Sequence, residues 1–204
     1  MIQFPGVNCE YETVRAAEKA GLRCGIFRWN EPSSRLRHFD GYVLPGGFSY
    51  EDRVRAGAIA ASEDILEVIA DESSKGKPVL GICNGAQILV EAGLVPGTRG
   101  DEVEVGLAPN KGVGRPGYYS TWIYLRVSCP PERCAVTMAL EPGEILPMPI
   151  AHAQGRFISQ DQTIFESLEA GDQVVFKYCK ASGELCEGFP YNPNGSTNML
   201  SLIH

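Results

Sequence analysis

The sequence predicts an α/β fold of three layers, a doubly wound and mainly parallel sheet with a small antiparallel excursion in its second half. Three observations lead there. Strand, helix and strand patterns follow one another from the first residue, an order that implies right-handed crossovers and parallel pairing. Two apolar runs, Gly41 to Leu44 and Val79 to Ile82, break at glycine-containing turns, and in a doubly wound sheet the ends of neighbouring strands share one crevice. After Gly93 the punctuation changes to prolines and glycines between short β segments.

Taken in order, Met1 to Phe4 reads as a strand stub and Pro5 to Asn8 as a turn whose Asn8 caps a helix from Cys9 to Ala20. Val14, Ala17 and Ala20 recur at helical spacing, Glu10 and Glu12 sit in the positive first turn, and Gly21 stops the helix. Arg23 to Trp29 is a second strand. Pro32 to Phe39 is a polar surface turn carrying His38, a histidine among Arg35, Arg37 and Asp40 on a solvated face.

Gly41 to Leu44 is a third strand, ended by Pro45-Gly46-Gly47, and Glu51 to Lys75 reads mostly as one helix with Val54, Ala58, Ile59, Ile65, Leu66 and Ile69 as its apolar stripe. Pro78 then opens a fourth strand, and Ala86 to Ala92 has helical composition. Pro96, Gly97, Gly100, Pro109, Gly112, Gly114, Pro116 and Gly117 mark a loop-rich excursion. Strands are expected at Trp122 to Val127, Ala135 to Leu140, Glu144 to His152, Gly155 to Ile158 and Gln173 to Cys179, with a helical turn or two over Thr163 to Ala170. Tyr191 to Asn198 is a turn and Met199 to Ile203 a beginning strand.

A chain of 204 residues suits one domain, 1–204, with a sizeable core. Its net charge of -7 opposes nucleic acid or an anionic membrane as partner, because phosphate binding needs a basic stripe. With neither an apolar run near ~18 residues nor a charged-then-apolar leader, the expected location is cytoplasmic. Seven cysteines, an odd count, read as free thiols. Neither Cys129 with Cys134 nor Cys179 with Cys186 has the short spacing of a zinc knuckle, so no metal is expected.

The chemistry concentrates at Gly81-Ile82-Cys83-Asn84-Gly85. This Gly-x-Cys-x-Gly turn, between an apolar strand and a helix, is the cysteine form of a nucleophile elbow: small flanking residues let the chain double back and push the central side chain outward. Cys83 is expected to be exposed at a helix start, where amides and the helix dipole favour its thiolate. Cysteine is also a frequent core residue, and an elbow pattern of this length arises by chance. Its strand-to-helix context is what selects the reactive reading. The amides of Gly47 and Asn84 are the candidate donors for an oxygen developing beside Cys83, with a plain Pro-Gly turn as the alternative at residues 45–47.

Four motifs in order resemble one family. Leu44 to Asp52 with Arg55-Ala56-Gly57, Gly81 to Gln87, Pro149-Ile150-Ala151-His152, and Asn192 to Ser196 are similar to the glutaminase subunits of phosphoribosylformylglycinamidine synthase. These are class I glutamine amidotransferases of purine biosynthesis, flavodoxin-like in fold. The resemblance implies that Cys83 attacks the side-chain amide of L-glutamine, that Gly47 and Asn84 hold the oxyanion, and that Gln87, His152 and Gly155 hold substrate. It implies release of ammonia to a separate synthetase subunit, which uses ATP and magnesium, and a small accessory subunit. No cofactor is expected in this chain itself.

The sequence also departs from that family. The family's base and its orienting acid lie in a Pro-His-Pro-Glu segment, and none occurs here; His38, His152 and His204 are the only histidines, and none inherits the role. The expectation is a C-terminally truncated domain, or a homologue that has lost the activity, with little glutaminase turnover. Ala153-Gln154-Gly155 stands where the family has Gly-Glu-Gly, and Thr121 where it has arginine before the tryptophan. A non-catalytic binding subunit, or another cysteine hydrolase on the same elbow, are the other classes the residues admit.

Overall fold

A computed structural model of the chain describes residues 1–100, 102–111 and 117–204. Gly112, Gly114 and Pro116 of the expected loop excursion lie outside the described residues. The chain is α/β and divides into two compact units, one of Met1–Leu94 with Gly100–Val103 and one of Val95–Arg99 with Glu104–His204.

The first unit runs β1 (Ile2–Gln3), α1 (Glu10–Lys19), β2 (Phe27–Arg28), β3 (Tyr42–Leu44), α2 (Ala58–Ala61), α3 (Asp64–Ser74), β4 (Val79–Gly81) and α4 (Asn84–Glu91). Strand β1 pairs with β2 and β3 with β4, both parallel, as strand-helix-strand order requires. Phe4, Phe27, Leu36, Leu44, Ile69 and Ile88 are fully buried in this unit. The β3–β4 register pairs Leu44 with Gly81, so the two strands stop level and the turns that follow them leave the pair side by side.

The second unit contains β5 (Gly106–Ala108), β6 (Tyr119–Val127), β7 (Ile145–His152), β8 (Arg156–Ile158), α5 (Thr163–Ala170), β9 (Val174–Cys179) and β10 (Leu200–Ile203). An antiparallel sheet in the order β10-β9-β6-β7 is the widest among the described residues, and β5 pairs antiparallel with β8. The antiparallel part is therefore larger than the sequence pattern suggested. Ile123, Leu125, Val127, Ile150, Val175, Phe176 and Tyr178 form its core with Cys129 and Cys134, which are free thiols acting as small hydrophobes.

Five local expectations are corrected. Asn8 does not cap α1: Cys9 holds the N-cap position without a side-chain bond, while the Asn8 Oδ1 accepts from the Cys9 thiol at 3.4 Å. The single helix from Glu51 to Lys75 is broken, because Tyr50, Glu51, Asp52 and Val54 have positive φ and Gly57, at φ 82°, separates them from α2. Val54 is consequently 86 % exposed rather than part of a stripe. Ala135 to Leu140 forms turns, closed by Thr137 N–H to Cys134 O at 3.0 Å and Leu140 N–H to Thr137 O at 2.9 Å, and leaves Met138 exposed. Strand β2 is shorter than Arg23 to Trp29, and β6 begins three residues before Trp122.

Candidate active site

At the end of β4 the chain reverses within one residue. Cys83 has φ 53° and ψ -110°, a conformation that L-residues rarely hold, and it is the N-cap of α4. The turn is secured by Ile82 N–H to Leu44 O at 2.9 Å, while the Cys83 carbonyl accepts from Ala86 and Gln87 at 3.1 and 3.2 Å. Both flanking glycines are required by space. A Cβ at Gly85 would lie 1.8 Å from the Leu44 carbonyl oxygen, and one at Gly81 would lie 2.8 Å from the Ala86 backbone. The helix thus presses its first turn directly onto β3, which leaves Cys83 exposed at the bend.

The loop after β3 stands against that bend. A Cβ at Gly46 would come within 3.4 Å of the Cys83 Cβ and 3.6 Å of the Cys9 Sγ, so Gly46 lies beside both cysteines. Gly47 is extended with positive φ, 149°, and its Cβ would collide with the Val7 Cα at 2.7 Å. The turn Pro5 to Val7 clamps this loop through Phe48 N–H to Gly6 O at 3.0 Å and Tyr50 N–H to Pro5 O at 2.7 Å. A second brace comes from Asn84, which is 1 % exposed. Its Oδ1 accepts from Ser49 N–H at 3.0 Å, and its Nδ2 donates to Asp52 Oδ1 at 3.1 Å and to Gln87 Oε1 at 2.9 Å. One buried amide therefore joins the glycine loop, the acidic turn and α4.

The thiolate expected at Cys83 is not favoured in this resting arrangement. Although the residue is exposed, chain on its other sides desolvates the sulfur, and this burial is the largest influence, pushing the thiol above the ordinary cysteine value. The Asn84 backbone amide opposes it by hydrogen bonding toward the sulfur, while the neighbouring Cys9 and Asp52 push the same way as burial. Burial likewise raises Asp52 itself, against the Asn84 bond that lowers it.

His152 and Gly155 belong to the second unit, where they form one loop. A Cβ at Gly155 would lie 2.7 Å from the His152 ring, so the imidazole sits over a residue that has to be glycine. Asn110 ties the loop from both sides, donating to the His152 carbonyl at 3.0 Å and accepting from Gly155 N–H at 3.2 Å. Asn194 Nδ2 donates to the Gly155 carbonyl at 2.7 Å and to the Tyr178 hydroxyl at 3.1 Å. The Asn192 to Ser196 segment is thereby explained as the support of this loop. Burial holds His152 below the ordinary histidine value, and its Nδ1 has no partner among the described residues.

Of the residues singled out in the sequence, Cys83, Gly47, Asn84 and Gln87 lie in the first unit around one bend, and His152 and Gly155 lie together in the second. Sequence reasoning missed Cys9, Ser49 and Asp52. Ser49 and Asp52 stood within the quoted Gly47 motif and signalled nothing separately; no pattern linked position 9 to position 83.

A cysteine thus stands on a strand-to-helix elbow of an α/β chain and is faced by a glycine loop, which makes it the candidate nucleophile of the site. The family model for the CobB/CobQ-like glutamine amidotransferase domain matches residues 1–203, and the chain belongs to that family. It is 49 % identical over 208 residues to phosphoribosylformylglycinamidine synthase subunit PurQ of Methanothrix thermoacetophila, covering all of this chain and 79 % of the relative. PurQ of Pyrococcus furiosus is 41 % identical over 96 % of this chain and 77 % of its own length. Among solved structures, PurLQS from Thermotoga maritima matches 99 % of this chain and 84 % of the chain compared, at 29 % identity and a TM-score of 0.74.

Among the described residues no group of three or more His, Cys, Asp or Glu side chains is placed to hold a metal ion, and no helix is long and apolar enough to cross a membrane.

Proposed function

We propose that this chain is the glutamine-hydrolysing subunit of a phosphoribosylformylglycinamidine synthase, acting in the cytoplasm in purine biosynthesis. The observation that carries the reading is the strained Cys83 at the start of α4 with Gly46 against it and the Asn84 amide directed at its sulfur. Cys83 Sγ attacks the side-chain amide carbon of L-glutamine, and the amides of Gly47 and Asn84 hold the oxygen that becomes negative. Ammonia then departs, taking the thiol's proton in balance, and water hydrolyses the glutamyl thioester to glutamate. Gln87 holds the substrate in this scheme, a role carried over from the family.

The two parallel strand pairs fit within a doubly wound, mainly parallel, flavodoxin-like layer, and residues 1–204 act as one amidotransferase domain. Ammonia passes to a synthetase subunit that uses ATP and magnesium, with a small accessory subunit in the assembly; the likeness over this chain's length to most of PurQ and of a PurLQS chain supports this. Residues 1–204 contain no His-x-Glu pair matching the family's base.

The test pairs the chain with its synthetase and compares two nitrogen sources. Cys83→Ala should reduce glutamine-dependent synthesis to background while synthesis from added ammonium stays at the wild-type rate. Loss of both, or loss of neither, contradicts the assignment.

A further inference from the structure

We propose that Cys9 and Cys83 form a reversible oxidation site, in which a disulfide between them withdraws the Cys83 sulfur from chemistry. The Cys9 Sγ and the Cys83 Cβ both stand within van der Waals reach of the point where Gly46 would carry a side chain, at 3.6 and 3.4 Å. The two atoms are therefore no farther apart than the sum of those separations. A rotamer change moves a cysteine sulfur through roughly 3 Å, and glycine at position 46 puts no Cβ between the two residues. Both residues reach solvent, Cys83 as an exposed and Cys9 as a half-buried side chain.

Of the other thiols, Cys129, Cys134 and Cys179 are buried in the second unit, while Cys24 and Cys186 are half-buried. Cys9 and Cys83 are close enough that Cys9 acts electrostatically on the Cys83 thiol. Around the pair stand Glu10 and Glu12 on the Cys9 side and Asp52 on the Cys83 side, with the Asn84 amide as the opposing donor. These carboxylates and burial keep both thiols protonated, so oxidation is slow at neutral pH and accelerates as pH rises.

The oxidant is hydrogen peroxide. One thiolate attacks a peroxide oxygen, the O–O bond breaks, and a sulfenic acid and hydroxide result. The second thiolate attacks that sulfur and expels the sulfenic oxygen as hydroxide; with the two thiol protons, one peroxide becomes two waters and one disulfide. A dithiol reductant reverses the bond.

The inference rests on the glutaminase reading only for its consequence, and its test reads the bond itself. The full chain is treated with hydrogen peroxide and mapped by mass spectrometry of unreduced peptides. A Cys9–Cys83 linked peptide that dithiothreitol removes is expected. In Cys9→Ser the link is lost completely, and Cys83 passes on to sulfinic and sulfonic acids that dithiothreitol does not reverse. Cys83 oxidised alone in the wild-type chain, with Cys9 still free, overturns the proposal. The wild-type map decides even where Cys9→Ser fails to fold.

Discussion

Asn84 shows how one residue serves both backbone and side-chain needs at the bend. Its amide N–H acts on the Cys83 sulfur while its buried carboxamide fixes Ser49, Asp52 and Gln87. The balance at Cys83 gives a prediction with a definite sign. Because burial, Cys9 and Asp52 raise the thiol, its alkylation by iodoacetamide should climb through a midpoint above the ordinary cysteine value. Removing one negative neighbour with Asp52→Asn should bring that midpoint down. A midpoint already below the ordinary value in the wild-type chain would contradict the account. The elbow was legible because glycine on both sides of a cysteine has no use in ordinary packing, whereas the approach of Cys9 depends on how the loop after β1 lies and left no sequence trace.

At the scale of elements, the contact of α4 with β3 is set by absent side chains. Gly85→Ala places a methyl 1.8 Å from a backbone oxygen that cannot step aside, so the variant should lose about 3 kcal/mol or more of stability. Thermal unfolding checks it, and a melting temperature equal to wild type would mean that the elbow is looser than described. A different device holds α3. The Glu72 side chain is 5 % exposed, yet its carboxylate meets Lys77 at 2.5 Å and Lys75 and Arg37 at 2.8 Å.

Hydrogen bonds from Lys75 and Lys77 hold Glu72 at about 2, below the ordinary glutamate value of 4.5. A carboxylate depressed in the folded state adds stability that is full above its unfolded value and is lost as pH falls toward the folded one. Wild-type stability should therefore decline between about pH 4.5 and 2 more steeply than that of Glu72→Gln, as followed by denaturant midpoints. Equal slopes would remove the clamp from the account. The broken helix before α3 was illegible for a related reason: the positive φ values at Tyr50, Glu51, Asp52 and Val54 go with the loop's approach to Pro5 and Asn84, a tertiary demand that apolar spacing does not encode.

For the molecule as a whole, the order of strand, helix and strand gave away the α/β class and the parallel pairs of the first unit. The second unit was harder to read. Val136, Met138 and Leu140 alternate as a strand would, yet no strand among the described residues pairs with them and the bonds of Thr137 and Leu140 close turns instead. The Asn192 to Ser196 segment read as a turn and as one of the four family motifs, and its use as a brace for the His152 to Gly155 loop emerges from hydrogen bonds across 39 residues of chain.

The claim on which all of this converges is that the Cys83 sulfur forms the bond to the glutamine side chain. A glutamine analogue with a diazoketone in place of the amide traps such a sulfur as a stable thioether with loss of nitrogen, and it asks nothing of a catalytic base. Peptide mass mapping after incubation should find the adduct on Cys83, in amounts that excess L-glutamine suppresses. An adduct on another cysteine, or labelling of Cys83 that glutamine leaves unchanged, would contradict the account.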